Sequence, residues 1–298
     1  MILFDIFNVL SSIYKGTVYR NYRFKNLNNH NYELELDFYV PEYSLGIEFD
    51  GMFWHSKLRK DKQYNKKDMF LNNYNINVIF ITSYEWKYKR DIVISKINIM
   101  LHSSNVKRIP ARKLYIKNVS PNIKNLFLEK YHIQGKDKSS LSVGLYTKTN
   151  KLVALLTFRK GNNFMSEWDK ENNVIELSRF SSRNNVIVIG GFSKLLKYSE
   201  KMLKEMGFNF IKTFADRRYS VGNLYKECNF ELDHISKENY VYFNNDIVLN
   251  RVSCQKHKLK NMFPKSYSDD KTEEEIMNEN GYRRYYDCGN YVFYKEIY

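Results

Sequence analysis

Two stretches near the N-terminus alternate apolar and acidic residues with a period of two, and they flank a short turn that begins at Pro41. The stretches are residues 33–40 and 45–51. Because successive side chains of a strand point to opposite faces, this alternation predicts a β-hairpin with an apolar face and a carboxylate face. A four-residue loop places Val40 opposite Leu45, which sets the register of the two strands.

The predicted register brings four carboxylates onto one face, with Asp37 across from Glu48 and Glu35 across from Asp50. Like charges directly opposed on a sheet are destabilising, and two carboxylates about 5 Å apart at an effective dielectric near 20 repel by about 3 kcal/mol. Acids kept together in this way usually hold a divalent metal or share a proton. A solvated strand face with loose register is the alternative. His55 follows the second strand closely and is a residue type suited to general base catalysis.

The positive charge of the chain is concentrated in its middle. The 298 residues carry a net charge of +15, of which residues 107–245 contribute +12, with 25 basic and 13 acidic residues. Residues 1–106 contribute +3 and residues 246–298 contribute 0. Such a field attracts phosphate backbones. The composition therefore predicts a first domain over 1–106, a basic nucleic-acid-binding domain over 107–245, and a C-terminal helix and hairpin extension over 246–298.

The sequence argues against a membrane protein, a secreted protein and a zinc ribbon. No apolar run approaches the roughly 18 residues of a membrane span. The apolar N-terminus is interrupted by Asp5, with no basic region before it. Cys228, Cys254 and Cys288 lie far apart and are odd in number, so they indicate neither a disulfide framework nor a Cys-x-x-Cys metal site. We expect a cytoplasmic protein with no membrane partner, and the sequence leaves the oligomeric state open.

The periodicity of the first domain predicts a helix over 2–14, a strand over 17–25, the acidic hairpin, a lysine-rich helix over 57–75 and a strand over 76–81. This order of helix, strand, Asp-bearing strand, Glu-bearing strand, helix and strand resembles that of the restriction-endonuclease-like nucleases. In their PD-(D/E)xK core, an Asp and a Glu hold Mg²⁺. Asp50 stands here where that pattern usually has lysine. We therefore expect an α/β (α+β) fold with such a core.

Two short motifs make this resemblance more specific. Asp37-Phe38 and Gly51-Met52-Phe53-Trp54-His55 resemble the very-short-patch repair endonucleases and the EDxHD-type homing endonucleases of phages. The resemblance implies that Asp37 and Glu48 bind Mg²⁺ or Mn²⁺ and that His55 handles the proton. Asp50 stands where the repair enzymes have another histidine, and we expect it to share the catalytic site because of its place on the acidic face. On this interpretation the protein is a site-specific endonuclease that hydrolyses phosphodiester bonds of double-stranded DNA in the host cytosol.

Residues 139–245 resemble, more loosely, the acetyltransferase fold of the GNAT type. The likeness depends on a strand over 174–180, the glycines Gly190 and Gly191 before an amphipathic helix, and the segment 223–230. The adjacent glycines are shifted relative to the cofactor loop of that family, and Tyr225 matches a tyrosine that is a general acid in some members. Two alternatives therefore stand beside the endonuclease. One is an acyl-CoA-dependent N-acyltransferase with a degenerate nuclease domain, and the other is a non-catalytic nucleic-acid-binding protein.

Eight cations are candidates for contacts with DNA. Four belong to the lysine-rich segment and four to the basic domain, and they are Lys57, Arg59, Lys66, Lys67, Arg179, Arg183, Arg217 and Arg218. Contacts of this kind to phosphate position a protein on the duplex without reading its sequence. A solvated helix face explains the lysines equally well.

Overall fold

The structure is a computed structural model that describes residues 2–25, 33–52, 62–161, 165–245 and 247–298. Within these ranges the chain has a mixed α/β fold, with a four-stranded, a seven-stranded and a three-stranded sheet and one further strand pair. No helix in these ranges is both long enough and apolar enough to cross a membrane.

The four-stranded sheet is formed by the N-terminal region. Its elements are α1 (Ile2–Ile13), β1 (Tyr19–Lys25), β2 (Glu33–Val40), β3 (Leu45–Asp50), α2 (Lys62–Tyr74), β4 (Asn77–Thr82), α3 (Ser83–Tyr88) and α4 (Arg90–Met100). The strand order is β1-β2-β3-β4, and β3 and β4 are parallel while the other neighbours are antiparallel. The predicted hairpin is confirmed, because β2 pairs with β3 and Val40 lies opposite Leu45.

Apolar side chains form two cores around this sheet. One core includes Ile6, Leu10, Phe38, Val40, Ile47, Ile79, Val93 and Ile97. The other includes Leu34, Leu36, Phe70, Val78 and Phe80. Full burial of one such side chain stabilises a fold by about 1.5–3 kcal/mol. The apolar half of the alternating pattern is therefore what holds β2 and β3 in register.

The seven-stranded sheet is formed by the middle of the chain and is completed by its last strand. The elements of the middle are β5 (Lys107–Pro110), β6 (Tyr115–Asn118), α5 (Pro121–Tyr131), β7 (Leu141–Tyr146), β8 (Leu152–Arg159), α6 (Glu167–Glu171), β9 (Val174–Ser182), β10 (Val186–Ile189), α7 (Gly191–Glu205), β11 (Phe210–Asp216), α8 (Asn223–Lys226) and β12 (Glu231–Ile235). The strand order is β12-β16-β11-β9-β8-β7-β6, where β16 is Asn290–Glu296. β9 and β11 are parallel, and the other neighbours are antiparallel.

Helices cover both faces of the seven-stranded sheet. On one face, α7 contributes Leu195 to a core that contains Leu156 of β8. On the other face, α5 contributes Leu128 to a core that contains Leu155 of β8. Because Leu155 and Leu156 are adjacent in a strand, their side chains point to opposite faces. The sheet is therefore a central layer between α7 and α5.

A small layer near the C-terminus contains the three-stranded sheet. Its elements are β13 (Tyr240–Asn244), β14 (Ile247–Asn250), α9 (Lys256–Met262), α10 (Glu273–Glu279) and β15 (Arg283–Tyr286). β13 pairs with both β14 and β15. The Thr272 hydroxyl and the Glu275 carboxylate form a capping box at the start of α10.

Two strand pairings are not anticipated from the sequence. Residues 107–110, at the start of the predicted basic domain, form β5, which pairs in parallel with β10. In the predicted C-terminal extension, β15 and β16 do not form a hairpin with each other, because β15 pairs with β13 while β16 enters the seven-stranded sheet between β12 and β11. Partners distant in sequence decide both pairings, and local periodicity does not reveal them. The last strand therefore belongs to the sheet of the basic region.

Candidate functional site

The acidic face of the first sheet brings Asp37 and Glu48 together, as the sequence predicts. The Asp37 N–H donates to Glu48 Oε1 at 3.1 Å, and the Phe49 N–H donates to Asp37 Oδ2 at 2.8 Å. Lys66 Nζ lies 2.6 Å from Glu48 Oε2. Burial raises the pKa of Glu48 to about 7, although the Lys66 charge opposes this effect. Backbone N–H groups and one lysine therefore hold this pair of carboxylates.

Glu35 and Asp50, predicted to lie across from each other, are not among the residue pairs that join β2 and β3. The ladder between β2 and β3 covers three residue pairs and ends before these two residues could meet. Glu35 instead pairs with Arg23 of β1 at 2.9 Å. Asp50 accepts a hydrogen bond from the Tyr285 hydroxyl at 2.8 Å, and burial raises its pKa to about 7.

Three predicted site residues, His55, Lys57 and Arg59, lie outside the described residues. Their expected roles in proton transfer and DNA contact therefore stay predictions. In the part of the chain that the structure describes, no group of three or more His, Cys, Asp and Glu residues is placed to hold a metal ion.

Lys66, Lys67 and Arg217 use their charges inside the protein. Lys66 is the partner of Glu48. Lys67 is fully buried and donates to the Val78 carbonyl at 2.6 Å. Arg217 is also fully buried, and it pairs with Asp68 and donates to the Cys288 carbonyl. The structure thus places these three cations in internal contacts, and their expected contact with DNA stays a prediction.

The other three arginines are also engaged internally. Arg183 donates to the Leu152 carbonyl and to the Tyr131 hydroxyl. Arg179 donates to the Ser178 carbonyl at 2.7 Å. Arg218 pairs with Glu85 at 3.0 Å and with Asp216 at 2.8 Å. These side chains make internal contacts, and their expected contact with phosphates stays a prediction.

The parallel strands β9 and β11 separate in the middle of the seven-stranded sheet. Their pairing ends at Leu177 and Thr213, although the strands continue to Ser182 and Asp216. At the same point the register between β8 and β9 shifts and leaves Ser178 bulged. Bulges often lie next to active sites because they redirect the backbone. Beyond Leu177, the edge of β9 that faces β11 has no ladder partner among the described residues, so a ligand can pair with it.

The N-terminus of helix α7 lies beside this gap. Gly190 precedes the helix with φ 70°, and a Cβ at this position would meet nothing within 4 Å. Within the described ranges no side chain caps the helix. The first N–H groups of a helix have no partner inside it, and the helix dipole adds a partial positive charge there. This end of α7 therefore suits an anion.

A cavity of about 430 Å³ opens between the end of β9, β10, the start of α7 and α8, and we call it the α7-side cavity. Its apolar walls include Phe180, Val188, Phe192 and Leu224. Glu227 is the charged side chain among the described residues that line it, and it is exposed to solvent. The cavity combines apolar walls with the open helix end.

Tyr225 lies at the inner end of the gap. Its ring packs against Phe192, Phe230 and Phe293. Its hydroxyl is hydrogen-bonded to Thr213, at which the pairing of β11 with β9 ends. Burial raises the pKa of Tyr225 above its usual value near 10. The hydroxyl therefore keeps its proton at neutral pH and can donate it.

A second cavity, of about 510 Å³, lies on the opposite face of the sheet, and we call it the α5-side cavity. Phe180 and Ser182 of β9 line the α7-side cavity, whereas Ser181 between them donates to the Tyr131 carbonyl at the end of α5. Asp216 at the end of β11 lines the α5-side cavity together with the loop after α5. The two cavities thus flank the gap between β9 and β11.

Sequence reasoning missed the bulge at Ser178 and the whole α5-side cavity. The available signal for the bulge is a pair of consecutive polar residues, Ser178 and Arg179, between the apolar residues Leu177 and Phe180. The cavity has no local signal, because residues as distant as Met52 and Asn290 line it.

No family model matches the chain, and no curated protein matches it. Among solved structures, an IAA acetyltransferase from Bacillus cereus ATCC 14579 is 12% identical over 61% of this chain and 99% of that chain, with a TM-score of 0.35. A Bacillus subtilis acetyltransferase in complex with CoA is 13% identical over 62% and 100%, with a TM-score of 0.36. A GNAT family acetyltransferase from Elizabethkingia anophelis with acetyl-CoA bound is 11% identical over 62% and 98%, with a TM-score of 0.36.

These findings correct the assignment of a Mg²⁺-dependent DNA endonuclease. The three neighbours are acetyltransferases, and two of them are described with CoA or acetyl-CoA. Lys66 bridges to Glu48 where the metal was expected, and the described residues contain no cluster suited to a metal. The three matching structures include no nuclease, so the predicted nuclease activity and the predicted Mg²⁺ or Mn²⁺ cofactor are not retained, and nothing shows a restriction-endonuclease-like core. The described residues form a mixed α/β fold, and its neighbours among solved structures are GNAT acetyltransferase-like.

Proposed function

We propose that the chain transfers an acyl group from acyl-CoA to an amine at the gap between β9 and β11. The observation that supports this proposal most strongly is a coincidence of three features in one place. The parallel pairing ends at Leu177, the bulge at Ser178 follows directly, and the open N-terminus of α7 lies alongside.

The α7-side cavity suits the two chemical parts of an acyl-CoA. The open N–H groups at the start of α7 would bind the pyrophosphate. Phe180, Val188 and Phe192 would contact the less polar pantetheine arm. Glu227 opposes binding of an anion, but its exposure to solvent weakens that effect. A bound acyl-CoA would supply an activated thioester carbonyl.

The gap supplies what transfer to an amine requires. Peptide N–H groups of β9 beyond the bulge would donate to the carbonyl oxygen, which gains negative charge during the reaction. The amine nitrogen forms a bond to the carbonyl carbon, the bond from that carbon to sulfur breaks, and CoA leaves. The amine loses a proton to solvent, and the Tyr225 hydroxyl gives a proton to the leaving sulfur and is reprotonated from solvent. The products are an amide and the CoA thiol.

Replacement of Ser193 tests the acyl-CoA site without disturbing the core. Ser193 is the third residue of α7, is exposed, and lines the α7-side cavity. Ser193→Asp places a negative charge where the pyrophosphate would bind, yet an acid in the first turn stabilises a helix by about 0.3–1 kcal/mol. Ser193→Asn is the matched neutral control.

Titration calorimetry with acetyl-CoA measures the effect. We expect wild type and Ser193→Asn to bind with similar affinity and Ser193→Asp to bind at least about tenfold more weakly, because like charges repel across a short distance. Equal affinity for all three proteins, or no binding to wild type at millimolar acetyl-CoA, would remove the proposal.

A further inference from the structure

We propose that the α5-side cavity binds a nucleobase, supplied by a free nucleotide or by a nucleic acid strand. Its volume of about 510 Å³ lies within the range of about 300–1,000 Å³ found for small-molecule sites. The first sheet, the end of β11 and the C-terminal layer each form part of its wall. The cavity therefore exists because the regions of this chain pack together.

The uncharged side chains in the lining of this cavity suit a planar ring with polar edges. Tyr84 and Tyr240 provide aromatic side chains, and Gln134, Asn239 and Asn290 provide amide groups. Stacking of a base on an aromatic side chain contributes about 1–3 kcal/mol. Side-chain amides both donate and accept hydrogen bonds, as the edges of nucleobases do. The lining thus offers both elements of base recognition.

The carboxylates of the cavity already have partners, which disfavours a bare ammonium ligand. Glu85 accepts from Arg218 at 3.0 Å and from the Tyr219 hydroxyl at 2.9 Å. Asp216 accepts from Arg218 at 2.8 Å. Asp287 accepts from the N–H groups of Asn239 and Gly289, both at 2.8 Å. Glu129, the fourth carboxylate of the lining, pairs with Lys89 at 2.6 Å. A neutral ring fits this arrangement better than a further cation.

Among the described residues, the lining itself has four carboxylates and two cations, and the cations that suit a phosphate attached to the base lie outside it. Residues 107–245 contribute +12 to the net charge. Lys136 and Lys138 are exposed on the loop after α5, next to Gln134 in the cavity wall. Such cations attract phosphate groups in a salt-dependent way. The sequence predicts a nucleic-acid partner, and the cavity proposal specifies that such a partner is bound through its base.

The gap between β9 and β11 lies between the two cavities. An amine on a base in the α5-side cavity would approach a thioester from the face opposite α7, and this step alone rests on the proposed function. Binding of the base does not need an acyl donor. The two ideas can therefore fail separately.

Binding is measured by titration calorimetry in the absence of acetyl-CoA, with cytidine 5′-monophosphate as the first probe because CoA contains adenine. A short single-stranded DNA, an abasic strand of the same length and spermidine are the other probes. Asn239→Leu and Tyr84→Leu remove lining groups, and Asn239 is exposed, so its variant should fold. Asn118→Leu and Tyr115→Leu, both exposed on β6 at the edge of the sheet, are the matched controls.

We expect cytidine monophosphate to bind wild type and both β6 variants alike, and the two cavity variants at least about fivefold more weakly. The intact strand should bind more tightly than the abasic one, and spermidine should not displace the nucleotide. A strand that binds more tightly than the nucleotide identifies nucleic acid as the source, and equal affinity identifies the free nucleotide. Absence of nucleotide binding, equal affinity for intact and abasic strands, or displacement by spermidine would overturn the proposal. Ser193→Asp should leave nucleotide affinity unchanged. A failure of the proposed acyl-CoA site can therefore be distinguished from a failure of the proposed nucleobase site.

Discussion

Arg218 and Glu85 form an ion pair of 3.0 Å between the residues after β11 and helix α3. Their side chains are 13% and 8% exposed, and the Tyr219 hydroxyl donates to the same carboxylate. The N–H and the hydroxyl of Thr82 also donate to the Glu85 carboxylate. The pair therefore joins the first sheet to the seven-stranded sheet and stands in the wall of the α5-side cavity.

Replacement of Arg218 by Met should destabilise the protein strongly. Loss of one partner of a buried ion pair leaves the other charge uncompensated and costs about 3–5 kcal/mol. Urea unfolding of wild type and variant measures the change in the free energy of unfolding. Lys271→Met is the control, because Lys271 and Glu279 form a more exposed pair, which is worth about 0–1 kcal/mol. A loss below about 1 kcal/mol for Arg218→Met would show that the pair does not join the two sheets.

Replacement of Tyr225 by Phe should slow acyl transfer while leaving affinity for acetyl-CoA nearly unchanged. The variant keeps the ring that packs on Phe192 and Phe293 and removes the hydroxyl beside Thr213. Loss of a general acid typically lowers the rate about 10²–10⁴-fold. Release of CoA thiol, followed at saturating acetyl-CoA with a nucleotide acceptor, gives kcat. An unchanged kcat would exclude Tyr225 as the proton donor.

Asp137 should make stability depend on pH in the acid range. Burial opposes its ionisation, but hydrogen bonds from Ser139, Thr157 and Lys124 lower its pKa to about 2. Because this pKa lies below the unfolded value of about 3.9, the contribution is present above pH 4 and is lost as the pH falls towards 2. With its side chain 4% exposed, the expected loss is about 2 kcal/mol. Asp137→Asn should flatten the pH profile of urea unfolding between pH 5 and 2, and an identical profile would contradict this account.

Elements with strong local signals could be predicted from the sequence. The acidic hairpin forms with Val40 opposite Leu45, because one buried face sets the register. Helix α7 shows the limit of such signals. The sequence places both Gly190 and Gly191 before the amphipathic helix, yet the helix begins at Gly191. Gly190, with φ 70°, reverses the chain immediately before the helix. Only the geometry of this turn shows where the helix begins.

The candidate site was much less predictable. The alternating acids suggest a metal site, but they are also compatible with a buried ion pair. Lys66, which belongs to helix α2, neutralises the charge of Glu48. The Arg218–Glu85 pair spans 133 residues of sequence. The opening of β9 from β11 depends on where a ladder ends, which no single segment encodes. Composition indicated the positive charge of the basic region but not that its arginines are used internally.

The structure of the protein bound to acetyl-CoA tests the central claim most directly. We predict that the pyrophosphate lies at the N-terminus of α7 beside Gly190 and Ser193. We also predict that the thioester lies between β9 and β11, with its carbonyl oxygen hydrogen-bonded to the β9 backbone beyond Ser178. A ligand bound elsewhere, or no ligand in crystals soaked at millimolar acetyl-CoA, would contradict the account.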